Sequence, residues 1–157
     1  MKLVDKMKDE NLGLAILYNF TKGYGHVPMS VYDVVLPFLY HDGFRNHLFE
    51  GVEVEEALTK CVQEDASFIQ NILDTIEKDK EMTSRALGIC LLNKYLSFEF
   101  EDNEMKGIYH ESSILDINEA INLGKFFSGK SYEDILNILK KNSSSVFFLE
   151  MMLIFLS

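Results

Sequence analysis

Leu96-Ser97-Phe98-Glu99-Phe100-Glu101, then Asp102-Asn103, then Glu104-Met105-Lys106-Gly107-Ile108-Tyr109, is where the apolar period of this chain changes to two. Leu96, Phe98 and Phe100 alternate with Ser97, Glu99 and Glu101, which is the repeat of a half-buried strand. Asp102-Asn103 supplies turn chemistry, and Met105 to Tyr109 returns as a second strand. The residues on either side follow a helical period. The hairpin therefore decides the fold class: mainly α, a compact multi-helix domain with one β-hairpin. A helix leading into a single hairpin, about residues 82–110, is how a winged-helix unit ends.

Working outward from the hairpin, a helix is expected before it from about Met82 to Lys94, carrying Ala86, Leu87, Ile89, Cys90, Leu91 and Leu92. The charged run Glu77 to Glu81 reads as a turn separating it from a helix with Phe68, Ile69, Ile72, Leu73 and Ile76. Val54, Ala57, Leu58, Cys61 and Val62 keep the i, i+3, i+4, i+7, i+8 spacing of another amphipathic helix. Towards the N-terminus, Asn11 to Lys22 is apolar on nearly every side, the mark of a central helix or one shared with a partner. Gly23 and Gly25 are expected to stop it. Ser30 with Asp33 resembles the start of a helix through Val31, Val34 and Val35, which Pro37 kinks or ends. Beyond the hairpin, Asp116 with Glu119 makes a capping-box-like start for a helix with Ala120, Gly124 and Phe127. Ser131 with Asp134 opens a last one, and Ser143-Ser144-Ser145 reads as a linker to an apolar tail over residues 146–156.

The chain has 157 residues, enough for one domain, 1–157, with a real core. Fifteen Lys+Arg against 25 Asp+Glu leave a formal charge of −10, which repels phosphate backbones. No basic patch offsets it: Lys2, Lys6 and Lys8 are interleaved with Asp5, Asp9 and Glu10, and Lys140-Lys141 stands alone. The expected wing carries Glu99, Glu101, Asp102 and Glu104 against Lys106, whereas a wing that reads DNA offers cations to phosphates. Cys61 and Cys90 lie in helical apolar patterns and read as reduced core thiols. The opening MKLVDKMKDE holds no apolar signal segment, which points to a cytoplasmic protein. The tail VFFLEMMLIFLS is shorter than the ~20 residues of a spanning helix and contains Glu150, so no membrane role is expected. It reads as buried or covered by a partner.

A search for chemistry yields little. His26, His41, His47 and His110 show neither HxxxH nor HExxH spacing, and neither cysteine has a CxxC partner, so no metal site is expected. Gly23-Tyr24-Gly25 lacks the rest of a phosphate loop and reads as a turn. Glu53, Glu55 and Glu56 read as first-turn charges of a helix. No catalytic residue and no cofactor is expected, and turnover traced to His41 or Glu111 would be needed to argue otherwise.

One segment carries a resemblance. Val34-Val35-Leu36-Pro37-Phe38-Leu39-Tyr40-His41, with Arg45 and Leu48, resembles an LPLxLH-like stretch followed by an Arg. It lies after an apolar first helix, Leu12 to Phe20, and before an amphipathic pair, a helix-hairpin unit and a GKxF-like segment, Gly124-Lys125-Phe126-Phe127. This order is similar to that of the middle component of bacterial three-component ABC-ATPase systems, which include the small subunit of Lamassu-type antiviral defence. Phe38 and Tyr40 stand where the pattern has smaller aliphatics. The resemblance implies a non-catalytic accessory subunit between an SMC/Rad50-like ATPase and an effector such as a nuclease, touching DNA only through the complex. The residues expected to meet partners are Leu36, Pro37, His41 and Arg45, with Phe147, Phe148, Met151 and Phe155 of the tail. Two alternatives stay open: a winged-helix regulator that touches DNA as a homodimer, and an acidic inhibitor that caps a basic nuclease surface.

Overall fold

A computed structural model of the chain describes residues 10–156, with side chains described for residues 11–141 and 152–156. Lys2, Lys6, Lys8, Asp5 and Asp9 lie outside them, as do the side chains of Glu10, Phe147, Phe148 and Met151. Among the described residues the elements run α1 (Glu10–Tyr24), β1 (Val27–Pro28), a 3-10 helix (Met29–Val34), α2 (Val35–Leu39), α3 (Asp42–Phe49), α4 (Val54–Glu64), α5 (Phe68–Leu92), β2 (Leu96–Glu101), β3 (Glu104–Tyr109), α6 (Asn118–Phe127) and α7 (Tyr132–Leu156). The mainly α class with its hairpin is as the sequence predicts.

Helix α1 is the axis of the core. Leu17 and Phe20 are wholly buried, and so are two polar residues, Asn19 and Thr21. A buried polar group must find hydrogen bonds inside the protein. Asn19 Nδ2 donates to the Ala15 and Leu115 carbonyls, and Thr21 Oγ1 meets the Leu17 carbonyl and the Tyr32 hydroxyl at 2.7 Å. Tyr18 and Tyr24 send their hydroxyls across the core to the His110 and Lys130 carbonyls. The helix that is apolar all round is thus central, and its polar residues tie down the loops that pass over it.

Gly23 does not stop α1. It lies within the helix, and the turn comes at Gly25, whose φ of +107° is open to glycine at little cost. The expected helix from Ser30 is instead a 3-10 segment that begins after Pro28 with no side-chain cap. It runs into α2, where Pro37 is the third residue, a position whose N–H has no intrahelical acceptor in an α-helix.

The charged run Glu77 to Glu81 is not a turn, because α5 continues through it for 25 residues. The run contains no Gly or Pro, and Lys80–Glu77 and Arg85–Glu81 pair along the helix at 2.9 and 3.0 Å. Asp79 faces inward and is 4% exposed. Ser143–Ser145 is not a linker either; the backbone of α7 is helical from Tyr132 to Leu156. Helix α6 starts at Asn118 after Ile117 without a side-chain cap, and Asp116 pairs instead with Lys22 at 2.8 Å. The capping box at α7 does form: Ser131 Oγ accepts from the Asp134 N–H, and Asp134 Oδ2 accepts from the Ser131 N–H.

The hairpin pairs Leu96 with Tyr109 at its base and Glu101 with Glu104 at its tip. Asp102 and Asn103 both have positive φ, 51° and 64°, as a two-residue type I′ turn demands. A third strand completes the sheet, since Val27-Pro28 joins the far side of β3 to give the order β1-β3-β2. A two-residue strand containing proline has no legible period. Cys61 and Cys90 are free and buried, as expected of core thiols, and burial raises the thiol pKa values to about 11 and about 12.

Candidate functional site

The segment Leu36 to Arg45 is mostly interior. Leu36, Pro37, Phe38 and Leu39 are all buried. Phe38 lies at the centre of an aromatic cluster, 5.2 Å from Phe44 and 5.7 Å from Phe127, and Phe44 stacks in turn on Phe68. Offset and tilted rings at these spacings hold α2, α3, α5 and α6 together. Leu36 and Pro37 are therefore largely withdrawn from solvent in the free chain.

His41 is the N-cap of α3. Its Nδ1 accepts a hydrogen bond from the Phe44 N–H at 3.1 Å, and its ring meets Phe68 edge-on. With Nδ1 accepting, the neutral ring carries its proton on Nε2 and serves as a donor. It borders a cleft of about 310 Å³ with Pro37, Tyr40, Asp42, Thr75 and Asp79. Burial holds the His41 pKa below the ordinary 6.5, against the opposing pull of Asp65 and Asp42. As pH falls through about 6.5 the unfolded chain takes up a proton that native His41 resists. Its contribution is thus full above that pH and is lost as pH falls towards the depressed native pKa. Asparagine caps a helix without titrating. His41→Asn is expected to flatten the decline of melting temperature between about pH 7 and about pH 5; an equal decline in both proteins would exclude His41 as its source.

Arg45 is held on two sides. Its Nη2 pairs with Asp42 Oδ1 at 2.6 Å, its Nη1 reaches the Leu39 carbonyl at 3.4 Å, and the side chain is 6% exposed. The guanidinium thus joins the last carbonyl of α2 to the first turn of α3.

Outside this interior an apolar groove of about 290 Å³ opens between α1, α3 and the start of α6. Leu12, Ile16, Leu39 and Ile117 line it, Arg45, Asp116 and Glu119 supply its polar groups, and Phe49 stands at its edge 67% exposed. Three segments of the sequence pattern, the apolar first helix, the Leu36–Arg45 stretch and the helix that carries Gly124, meet here. The sequence pattern singles out neither Phe49 nor Leu115, and it counts Leu92 with the apolar residues of its helix, although Leu92 and Leu115 are both 83% exposed. No periodic signal distinguishes an exposed phenylalanine at a helix end from a buried one.

At the end of α7, Leu153, Phe155 and Leu156 are 69%, 78% and 78% exposed. Phe155 is the one tail residue chosen from the sequence whose side chain is described. The candidate residues do not converge: Leu36 and Pro37 are core, His41 borders the cleft, Arg45 borders the groove, and Phe155 ends α7.

Among the described residues no three His, Cys, Asp or Glu side chains are grouped as metal ligands, and no helix is long and apolar enough to cross a membrane. No curated protein and no solved structure matches the chain. A family model does: that of the ABC-three component (ABC-3C) system Middle Component 3, over residues 12–141, which takes in the core, groove and hairpin and leaves the exposed end of α7 outside. The chain belongs to this family of middle components.

Proposed function

We propose that this protein is a non-catalytic adaptor that bridges the ATPase and the effector of its ABC three-component system, in antiviral defence of the Lamassu type. An SMC/Rad50-like ATPase and a nuclease-type effector are the partners this reading calls for, with DNA met only through the complex, in the bacterial cytoplasm. The observation that carries it is the groove bounded by Leu39, Arg45 and Phe49. A ring as exposed as Phe49 beside an apolar groove is the kind of anchor that protein interfaces use.

The winged-helix reading of α5 and the hairpin belongs to the same proposal. With β1 against β3 the hairpin supplies the central and one edge strand of a three-stranded sheet, and its carboxylates favour proteins over nucleic acid.

The test is co-expression with the ATPase and effector genes of the same system. Phe49→Glu and the pair Leu153→Glu/Phe155→Glu alter exposed side chains, so both are expected to fold as the parent does. Each is expected to weaken one subunit contact about tenfold or more, as loss of an interface anchor does. Unchanged co-elution of both variants with both subunits would refute the proposed surfaces, and a complex with the effector alone would replace the adaptor by an inhibitor.

A further inference from the structure

Leu96, Phe98 and Phe100 share one face of the hairpin, opposite Tyr109, Gly107 and Met105. At its base that face is core: Leu96 is 1% exposed, and Gly107 lies so close to the Tyr32 ring that no side chain fits there. At the tip the same face is bare. Phe100 is 68% exposed and its direct cross-strand neighbour Met105 43% exposed. The strand that carries Phe100 is an outer strand of the sheet.

The turn beside this pair and the opposite face of the hairpin, which carries Glu99, Glu101 and Glu104, are acidic. Glu99, Asp102 and Glu104 are exposed, and Glu101 is half-buried in a pair with His26 at 2.7 Å. Lys106, the Lys of this hairpin, is held by Asp102 at 3.1 Å. We infer that the hairpin tip is a second docking surface, in which Phe100 and Met105 enter an apolar pocket rimmed by Lys and Arg on another subunit of the same system. Charge complementarity selects that occupant. A duplex or an anionic membrane meets like charge at the tip, and so does a second copy of this chain docking tip to tip. Aromatic and methionine side chains are the residue types enriched at the centres of protein interfaces, inside a polar rim.

This inference rests on the adaptor reading and adds a site distinct from the groove. Its test uses the full chain, with the ATPase and effector subunits of its system immobilised separately. Two variants are compared with the parent, Phe100→Ser/Met105→Ser and Glu99→Gln/Glu104→Gln. The first is expected to raise the Kd for one subunit at least about tenfold. The second is expected to slow association with that subunit and reduce its salt dependence, because exposed charges act mainly on the on-rate. Both should keep the parental melting temperature. If the parent binds a subunit and both variants bind it equally well, the tip is not an interface and the adaptor reading stands. If the parent binds neither subunit, both fail together. A tip variant that loses low-salt retention on duplex DNA, or that turns a dimer into a monomer in sedimentation, would overturn the inference in favour of those occupants.

Discussion

Gly124→Ala is expected to destabilise the protein by about 3 kcal/mol, at the upper end of what overpacking costs. Helices α1 and α6 cross through glycines on both sides. A Cβ on Gly124 would overlap the Phe20 carbonyl oxygen and lie 2.8 Å from the Tyr24 nitrogen. One on Gly23 would overlap the Ile121 carbonyl oxygen and lie 3.0 Å from the Lys125 nitrogen. These obstacles are backbone, so no side chain can rotate away. The added methyl forces the helices apart, and Phe20, Leu123 and Phe127 lose contact along the opened seam. Gly23→Ala is expected to behave likewise. Gly88 is the internal control: in α5 an added Cβ meets nothing within 4 Å, so Gly88→Ala should gain about 0.5–1 kcal/mol from helix propensity. Thermal unfolding separates the three, at about 2–4 °C per kcal/mol for a chain of this size. Equal melting temperatures for Gly124→Ala and Gly88→Ala would show that the crossing tolerates separation. The GKxF-like segment thus acquires a physical role: its glycine is the floor of the α1–α6 crossing and its Phe127 faces Phe38.

Local signals were legible because local forces make them. The hairpin turn was readable from Asp102-Asn103, since few residues tolerate two successive positive φ values. The amphipathic α4 was readable because its buried residues Val54, Ala57, Leu58, Cys61 and Val62 recur at the helical period. What failed depended on distance. The charge of Glu77 to Glu81 resembles that of a turn, yet the run holds helix-forming residues, with Lys80 pairing to Glu77 and Arg85, one turn on, to Glu81. Gly23 looked like a stop because its real function, close approach to Ile121, involves a residue 98 positions later. The site suffered from the same limit. The Leu36–Arg45 pattern was legible as a pattern, but a sequence motif does not say whether it faces inward, and Leu36 and Pro37 face the core. Phe49, Phe100 and Met105 are exposed only because of where their elements end. The type I′ turn carries Phe100 and Met105 past the body of the protein, and the strand alternation that revealed β2 gave Phe100 the same rank as buried Leu96.

Arg45→Glu is expected to cost about 3 kcal/mol or more, the scale of an uncompensated buried charge. In the parent the guanidinium serves two acceptors at once, the Leu39 carbonyl and the Asp42 carboxylate. The carbonyl sits at the C-terminal end of α2, where helix carbonyls lack intrahelical donors and the helix dipole favours a cation. A glutamate there places a third oxygen acceptor beside two others, with the position 5% exposed and little water to screen it. Arg45→Lys keeps the charge but has no planar fork to reach both acceptors, so a smaller loss of about 1–2 kcal/mol is expected. Arg45→Met keeps much of the apolar stem that borders the groove and leaves the 58% exposed Asp42 to solvent, so it should fall between the two. The expected order in denaturant midpoint is parent, Lys, Met, Glu, with unchanged m-values if each remains two-state. A glutamate variant as stable as the parent would mean that the joint between α2 and α3 holds without its cation. The consequence for function is specific. Reversing Arg45 disturbs the corner that positions Leu39 and Phe49 before it removes any intermolecular contact. A failure of the glutamate variant to assemble therefore speaks first about folding, whereas Phe49→Glu, on the exposed rim of the same groove, speaks about the partner.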